Sequence, residues 1–164
     1  MTVKSTNNEG KRETSQPTRA IFAGSFNPFT VGHASIVERG LKIFDRILIV
    51  IGLNAHKDDS NTAANFENIK KLYNKEPRVD VVIWKGLLVD LAKQENIRVF
   101  LRGIRNSTDF DYEMAMADIN RKIGEIETVF LPALPEHTAI TSSVVRELKH
   151  YGADTSSLLP TDVK

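Results

Sequence analysis

Ile47-Leu48-Ile49-Val50-Ile51 is an unbroken aliphatic run with no polar residue in alternation. A strand with one face in water alternates apolar and polar residues. A strand covered on both faces does not, and both faces are covered when helices lie above and below a parallel sheet. Reading outward from this run, short apolar stretches alternate with helical patterns. Upstream, Ala20–Ala23 reads as a strand, and Gly32 to Phe44 reads as a helix with Val37, Leu41 and Phe44 on one face. Downstream, a polar loop over Asn54–Asn61 precedes a weak helix near Ala63–Tyr73, a strand at Val79–Trp84 and a helix at Leu87–Gln94. Strand Val99–Leu101, helix Thr108–Lys122, strand Glu127–Leu131 and helix Ser142–His150 follow. Thr108 and Asp111 have the spacing of a capping box, and Gly124 is placed as a helix stop. Strands that alternate with helices predict an α/β fold: a Rossmann-like, doubly wound, five-stranded parallel sheet in a single domain.

Only Met1 and Val3 are apolar in residues 1–18, so that segment is expected to be a flexible tail ahead of a domain over 19–164. The net charge is +1, from 22 basic and 21 acidic side chains. That balance excludes a broad cationic surface for a nucleic-acid backbone, so any phosphates handled are few and local. No cysteine is present, which rules out disulfides, thiolate nucleophiles and zinc–thiolate sites. His33, His56, His137 and His150 show no paired metal-ligand spacing. No apolar run approaches the ~20 residues of a membrane span, and the N-terminus lacks the apolar region of a secretory signal. No membrane or nucleic-acid partner is expected, and the expected location is cytoplasmic.

In parallel sheets of this kind, ligands bind beyond the carboxyl ends of the strands where strand order reverses. Four loops at that edge carry residues suited to phosphate. Gly24-Ser25-Phe26-Asn27-Pro28-Phe29-Thr30-Val31-Gly32-His33 bridges the first strand and first helix. Gly24 suits a sharp turn and Gly32 suits a close ligand approach at a helix N-terminus, where free N–H groups favour an anion. His33, in the first helical turn, reads as a donor beside a dipole end of the same sign, which a ligand anion would offset. The alternative is a plain β–α turn around a buried histidine. Arg102-Gly103-Ile104-Arg105 is read as lying just past the fourth strand, where the arginine forks either grip phosphate or are solvated charges. Thr141, Ser142 and Ser143 open the last helix, as caps or as part of an anion cradle. Lys57 lies in the polar loop after the second strand, where an isolated lysine is ordinarily solvated. The four features at successive sheet-edge positions predict one site for two phosphorylated ligands.

Thr30-Val31-Gly32-His33 resembles the (T/H)xGH mark of a nucleotidyltransferase superfamily, and Ile140-Thr141-Ser142-Ser143 with Arg146 resembles its serine-rich turn. Threonine at position 30, Arg102-Gly103-Ile104-Arg105 and the run Asp109-Phe110-Asp111-Tyr112-Glu113 leading to Asn120-Arg121 narrow the resemblance to the phosphopantetheine adenylyltransferases, over about Arg19 to Pro160. The resemblance implies transfer of the adenylyl group of ATP to 4'-phosphopantetheine, with Mg²⁺ accompanying ATP and a homohexameric assembly. It implies that His33, Lys57 and Arg102 carry catalysis. Ser25, Lys57, Leu88 and Arg102 would hold the acceptor. Gly24, Ser25, His33, Gly103, Ile104, Arg105 and Glu113 would contact ATP, as would His137, Thr138, Ala139, Ile140, Thr141, Ser142 and Ser143.

Asn27 stands where aspartate is common in that family, near the expected metal and phosphates, and Asp58 follows Lys57 where a second lysine is frequent. The acceptor phosphate is already a nucleophile, so the site needs alignment and charge neutralisation rather than a base or a covalent intermediate. Two other readings are a relative that uses a different phosphorylated acceptor and a catalytically silent nucleotide-binding module. The first usually carries histidine at position 30. The second conflicts with the intact His33, Lys57, Arg102 and Arg105.

Overall fold

A computed structural model describes residues 17–53 and 61–161. Five strands alternate with five helices: β1 (Arg19–Gly24), α1 (Val31–Gly40), β2 (Arg46–Gly52), α2 (Thr62–Leu72), β3 (Val79–Trp84), α3 (Leu88–Gln94), β4 (Val99–Ile104), α4 (Ser107–Gly124), β5 (Glu127–Pro132) and α5 (Ser142–His150). The strands form one parallel sheet in the order β3-β2-β1-β4-β5. This is the expected doubly wound arrangement. The order reverses between β1 and β4, so a crevice opens between the loops that follow those two strands.

The uniform run in β2 is split by the period-two geometry of a strand. Ile47, Ile49 and Ile51 face one cluster, with Val37 of α1 and Ile69 of α2. Leu48 and Val50 face the other, with Val89, Leu91 and Ala92 of α3. β1 and β4 divide in the same way: Phe22 and Leu101 go to the first cluster, Ile21 and Phe100 to the second. Each fully buried aliphatic side chain contributes roughly 1.5–3 kcal/mol, so a strand with two buried faces is a large share of the stabilisation. Helix α4 differs. It packs on β4, β5 and α3, yet none of its 18 residues is buried.

Several boundaries move for identifiable reasons. α1 ends at Gly40 rather than Phe44, because beyond it the Lys42 and Ile43 N–H groups bond three residues back, to the Arg39 and Gly40 carbonyls; Gly40 itself seats against Leu101 and Ile47, where a Cβ would lie within 2.7 Å of both side chains. β4 continues to Ile104, because β5 pairs with it through Arg102↔Phe130, Gly103↔Leu131 and Ile104↔Pro132. Arg102 therefore sits on the strand and not in the loop beyond it. Helix α4 starts earlier than the Thr108–Asp111 spacing predicts. Asn106 is its cap, accepting from the Asp109 N–H at 2.9 Å. Gly124 is the last helical residue, and Glu125 takes the left-handed turn at φ 53°. Glycine is needed at 124 for a different reason: a Cβ there would lie 2.9 Å from Val89 of α3. Thr18 donates from its backbone N–H to Asp45 at 2.7 Å, so contacts to the domain already include a residue ahead of Arg19. Residues 1–16, most of the expected tail, lie outside the described residues. No described helix is long and apolar enough to cross a membrane.

Candidate active site

A cavity of about 500 Å³ opens at the β1–β4 switch point. Its floor is the β1–α1 turn, through Gly24, Ser25, Phe26, Thr30, Gly32 and His33. One wall is the end of β4 and the start of α4, with Arg102, Gly103, Arg105, Asp109 and Glu113. The other is the segment leading into α5, with His137, Ile140, Thr141, Ser142 and Ser143.

The turn is built around aromatic packing. Phe26 has a left-handed backbone at φ 45°, uncommon for a bulky residue and a mark of local strain. Its ring is buried against Phe22, Phe29 and His33, with centroids 5.1–5.2 Å apart. Gly24 serves this packing and not a sharp turn of its own: a Cβ there would lie 2.8 Å from the Phe26 ring. At Gly32 a Cβ would meet only ordinary contacts, at 3.5 Å and beyond, and would project at the cavity.

His33 corrects an expectation. Its Nδ1 accepts a hydrogen bond from the Thr30 N–H at 2.9 Å, and the Thr30 hydroxyl lies 3.0 Å from the same atom. The ring thus fills the place that glutamate or glutamine takes in a capping box and satisfies an orphan donor of α1. It does not oppose the helix dipole, because it is neutral. Burial, then the positive charges of Arg105 and Arg102, lower its pKa to about 4. With Nδ1 accepting, the remaining ring proton is on Nε2, which makes His33 a neutral hydrogen-bond donor.

Both arginines are held by α4. Arg102 forks onto Glu113: Nε donates to Oε2 at 2.7 Å and Nη2 donates to Oε1. Its Nη1 donates to the Ala23 carbonyl at the end of β1. Arg105 forks onto Asp109, at 2.8 and 3.1 Å. Asp109 and Glu113 are four residues apart and share one face of the helix. Arg105 and Asp109 have the i,i+4 spacing of a local ion pair, whereas nothing in the local sequence pattern announces the pairing of Arg102 on β4 with Glu113 on α4.

The three hydroxyls before and within α5 play separate roles. Thr141 caps the helix, accepting from the Val144 N–H at 3.1 Å. Ser142 donates to the Pro28 carbonyl of the β1–α1 turn at 2.8 Å. Ser143 accepts from Arg146 at 3.1 Å, and Arg146 also donates to the Asn27 carbonyl. The Ser142 and Arg146 contacts to Pro28 and Asn27 tie α5 to the β1–α1 turn, and Arg146, which does not line the cavity, has a structural role that the motif alone did not disclose. The backbone N–H groups of Ser142 and Ser143, in the first turn of α5, remain available to an anion.

Of the residues expected at the site, Gly24, Ser25, His33, Arg102, Gly103, Arg105, Glu113, His137, Ile140, Thr141, Ser142 and Ser143 line this one cavity. Ile104, Thr138 and Ala139 are not among its lining, and neither is Asn27. Leu88 packs beside Trp84 and Val82 against the α3 cluster. Lys57 lies outside the described residues.

The cytidylyltransferase-like family profile matches residues 21–148, which cover nearly all of the sheet together with the floor and both walls of the cavity. Curated relatives are named phosphopantetheine adenylyltransferase. That of Flavobacterium johnsoniae is 42% identical over 147 residues, covering 89% of this chain and 97% of the relative. That of Porphyromonas gingivalis is 45% identical over 142 residues, 86% and 93%. The chain belongs to the phosphopantetheine adenylyltransferase family. A candidate nicotinate-nucleotide adenylyltransferase of solved structure, from Vibrio parahaemolyticus, superposes with a TM-score of 0.61 over 88% of each chain at 19% identity. That likeness concerns the fold. Within the phosphopantetheine adenylyltransferase family fold, the cavity described above occupies the crevice expected for ligands.

Proposed function

We infer that the chain transfers the adenylyl group of ATP to 4'-phosphopantetheine, giving dephospho-coenzyme A and pyrophosphate. The observation that carries this reading is the convergence of a neutral imidazole donor, two arginines and a free helix N-terminus on one cavity. An acceptor phosphate oxygen attacks the α-phosphorus, a P–O bond forms, and the bond to the pyrophosphate oxygen breaks. The nucleophile arrives as an anion, so no proton must be removed first. What remains is to align two anions and to stabilise charge on the α-phosphate oxygens, for which fixed N–H donors are suited.

In this reading His33 donates from Nε2 to the α-phosphate. Arg102, with Lys57, holds the acceptor phosphate. Arg105 and the first turn of α5 hold the ATP phosphates, and His137 to Ser143 border the nucleotide. Leu88 belongs to the acceptor arm. Magnesium enters as part of the substrate, MgATP, because the carboxylates lining the cavity already accept from arginines. We place the protein in the cytoplasm, where ATP is available.

A homohexamer is part of this proposal. Its support is the apolar surface left on α4, where Phe110, Tyr112, Met114, Ile119 and Ile123 are exposed on a helix with no buried residue. Incubation with MgATP and, in turn, 4'-phosphopantetheine, nicotinate mononucleotide and glycerol phosphate tests the reaction. Pyrophosphate release with the first alone is expected. Release with another acceptor, or with none, overturns the assignment.

A further inference from the structure

We propose that Trp84 is a positioning residue for the acceptor: its indole holds the β3–α3 turn so that Leu87 and Leu88 meet the arm of 4'-phosphopantetheine. The proposal rests on the transfer reaction inferred above.

Alternation along the strands puts four residues on the α3 side of the sheet at its carboxyl edge. Arg102 follows Phe100, Ala23 follows Ile21, Gly52 follows Val50 and Trp84 follows Val82, each two residues on, and the residues they follow all lie with the α3 cluster. The strands that carry them are neighbours, in the order β4-β1-β2-β3. Arg102 donates to the Ala23 carbonyl, and Gly52 is paired with Trp84. On the two strands between the arginine and the indole, the outermost side chains of this face are thus a methyl group and a hydrogen. A Cβ at Gly52 would meet no described residue within 4 Å. The result is a shallow shelf that starts in the cavity, where Ala23 and Arg102 are part of the lining, and ends at Trp84. Three strand spacings make it about 14 Å long. A phosphate held by Arg102 leaves an arm to be housed. The extended arm of 4'-phosphopantetheine is about as long as four extended residues, which matches the shelf.

The indole builds the far end of the shelf. Its Nε1 donates to the Leu87 carbonyl at 3.0 Å, and the same oxygen accepts the Asp90 N–H in the first turn of α3. Gly86, between Trp84 and Leu87, has φ 141°, and a Cβ there would lie 3.4 Å from Nε1, so the turn wraps closely over the ring. Leu88 packs with the ring on the α3 cluster, while Leu87 is left 62% exposed. A large apolar side chain held in water at the end of such a shelf is suited to the apolar part of an arm. The hydrogen bond fixes the Leu87 backbone before the ligand arrives, so that ordering is not charged to binding.

Trp84 is the chain's one tryptophan, so its emission reports this turn without a label. Titration of the wild type with 4'-phosphopantetheine should change that emission saturably, and titration with MgATP should leave it unchanged. Trp84→Phe keeps an aromatic ring and removes the N–H. It should raise the KM for 4'-phosphopantetheine about fivefold, with the KM for ATP within about twofold of wild type. Leu87→Ala should show the same split, and the two losses should not multiply in the double variant, because the indole acts through the turn. If Trp84→Phe melts below the assay temperature, Gly86→Ala, which strains the same turn and keeps the indole, should raise the acceptor KM in the same way.

An emission unmoved by the acceptor, or moved equally by MgATP, would overturn the proposal. So would a KM for ATP that rises as much as that for the acceptor, or losses that multiply. Wild type that releases no pyrophosphate with 4'-phosphopantetheine would sink the reaction assignment and this proposal with it. Normal wild-type turnover with an unchanged acceptor KM in Trp84→Phe would sink this proposal alone.

Discussion

The Nδ1 atom of His33 accepts the backbone N–H of Thr30 at 2.9 Å, so one imidazole both caps α1 and lines the cavity. The two roles use opposite ring nitrogens. Replacing His33 with alanine should therefore cost stability as well as activity. Loss of the cap costs about 1 kcal/mol. Loss of a donor to the α-phosphate costs about 10²–10³ in kcat. His33→Asn can restore the cap without placing a donor where Nε2 was. Urea melts and pyrophosphate release should show Asn near wild type in stability yet as slow as Ala in turnover. A fast Asn variant would show that the Nε2 donor is dispensable.

Stability should depend on pH through the same residue. Unfolded, His33 titrates near 6.5; folded, its pKa is held at about 4 by burial and by Arg105 and Arg102. Between these values the unfolded chain binds more protons, so acid favours unfolding. The contribution is complete above pH 6.5 and is lost as pH falls toward 4. At most about 3 kcal/mol is involved. Asp45, held low by Thr18, and Glu76, held low by Arg78, act with the same sign at lower pH and are common to wild type and the His33→Asn variant. Wild type should therefore lose more stability than His33→Asn between pH 6.5 and 4.5. Parallel curves would mean that His33 is protonated in the folded protein.

Two glycines separate packing from ligand access. At Gly40 a new Cβ would lie 2.6 Å from Leu101 and 2.7 Å from Ile47, inside the core. Gly40→Ala should lose about 1–2 kcal/mol after its gain in helix propensity, with KM values unchanged. At Gly32 the neighbours begin at 3.5 Å, but the new methyl group would enter the cavity. Gly32→Ala should fold at least as well as wild type and bind ATP more weakly. Thermal melts and ATP calorimetry on both proteins check the crossed pattern.

The tie between α5 and the β1–α1 turn should matter for ATP. Ser142 and Arg146 donate to adjacent carbonyls, Pro28 and Asn27. Arg146→Ala should raise the KM for ATP about fivefold, leaving that for the acceptor nearly unchanged, because only the nucleotide-side wall is released. Ser142→Ala should do the same to a smaller degree, since a neutral hydrogen bond is the weaker contact. Equal effects on both substrates would mean that the tie holds the whole cavity.

The sheet was legible in the sequence because burial on both faces leaves a local signature. Five aliphatic residues in a row at Ile47–Ile51 can satisfy that requirement and little else. The β1–α1 motif was legible for a related reason: Thr30, Gly32 and His33 act within one helical turn, so their spacing carries their geometry. Contacts between distant segments leave no such trace. Arg102 and Arg105 were visible as cations, but Glu113 reaches Arg102 only because α4 packs back on β4, and even at the i,i+4 spacing of Arg105 and Asp109 composition does not choose partners. Likewise three hydroxyls in sequence could cap, cradle or tie. Only the approach of Pro28 and Asn27 to α5 assigned a separate role to each. Local periodicity and a short motif thus determined the architecture and the place of the site. Tertiary structure alone decided the charge state of His33 and the orientation of both arginines, because desolvation and hydrogen-bond geometry depend on what the folded chain brings within a few ångströms.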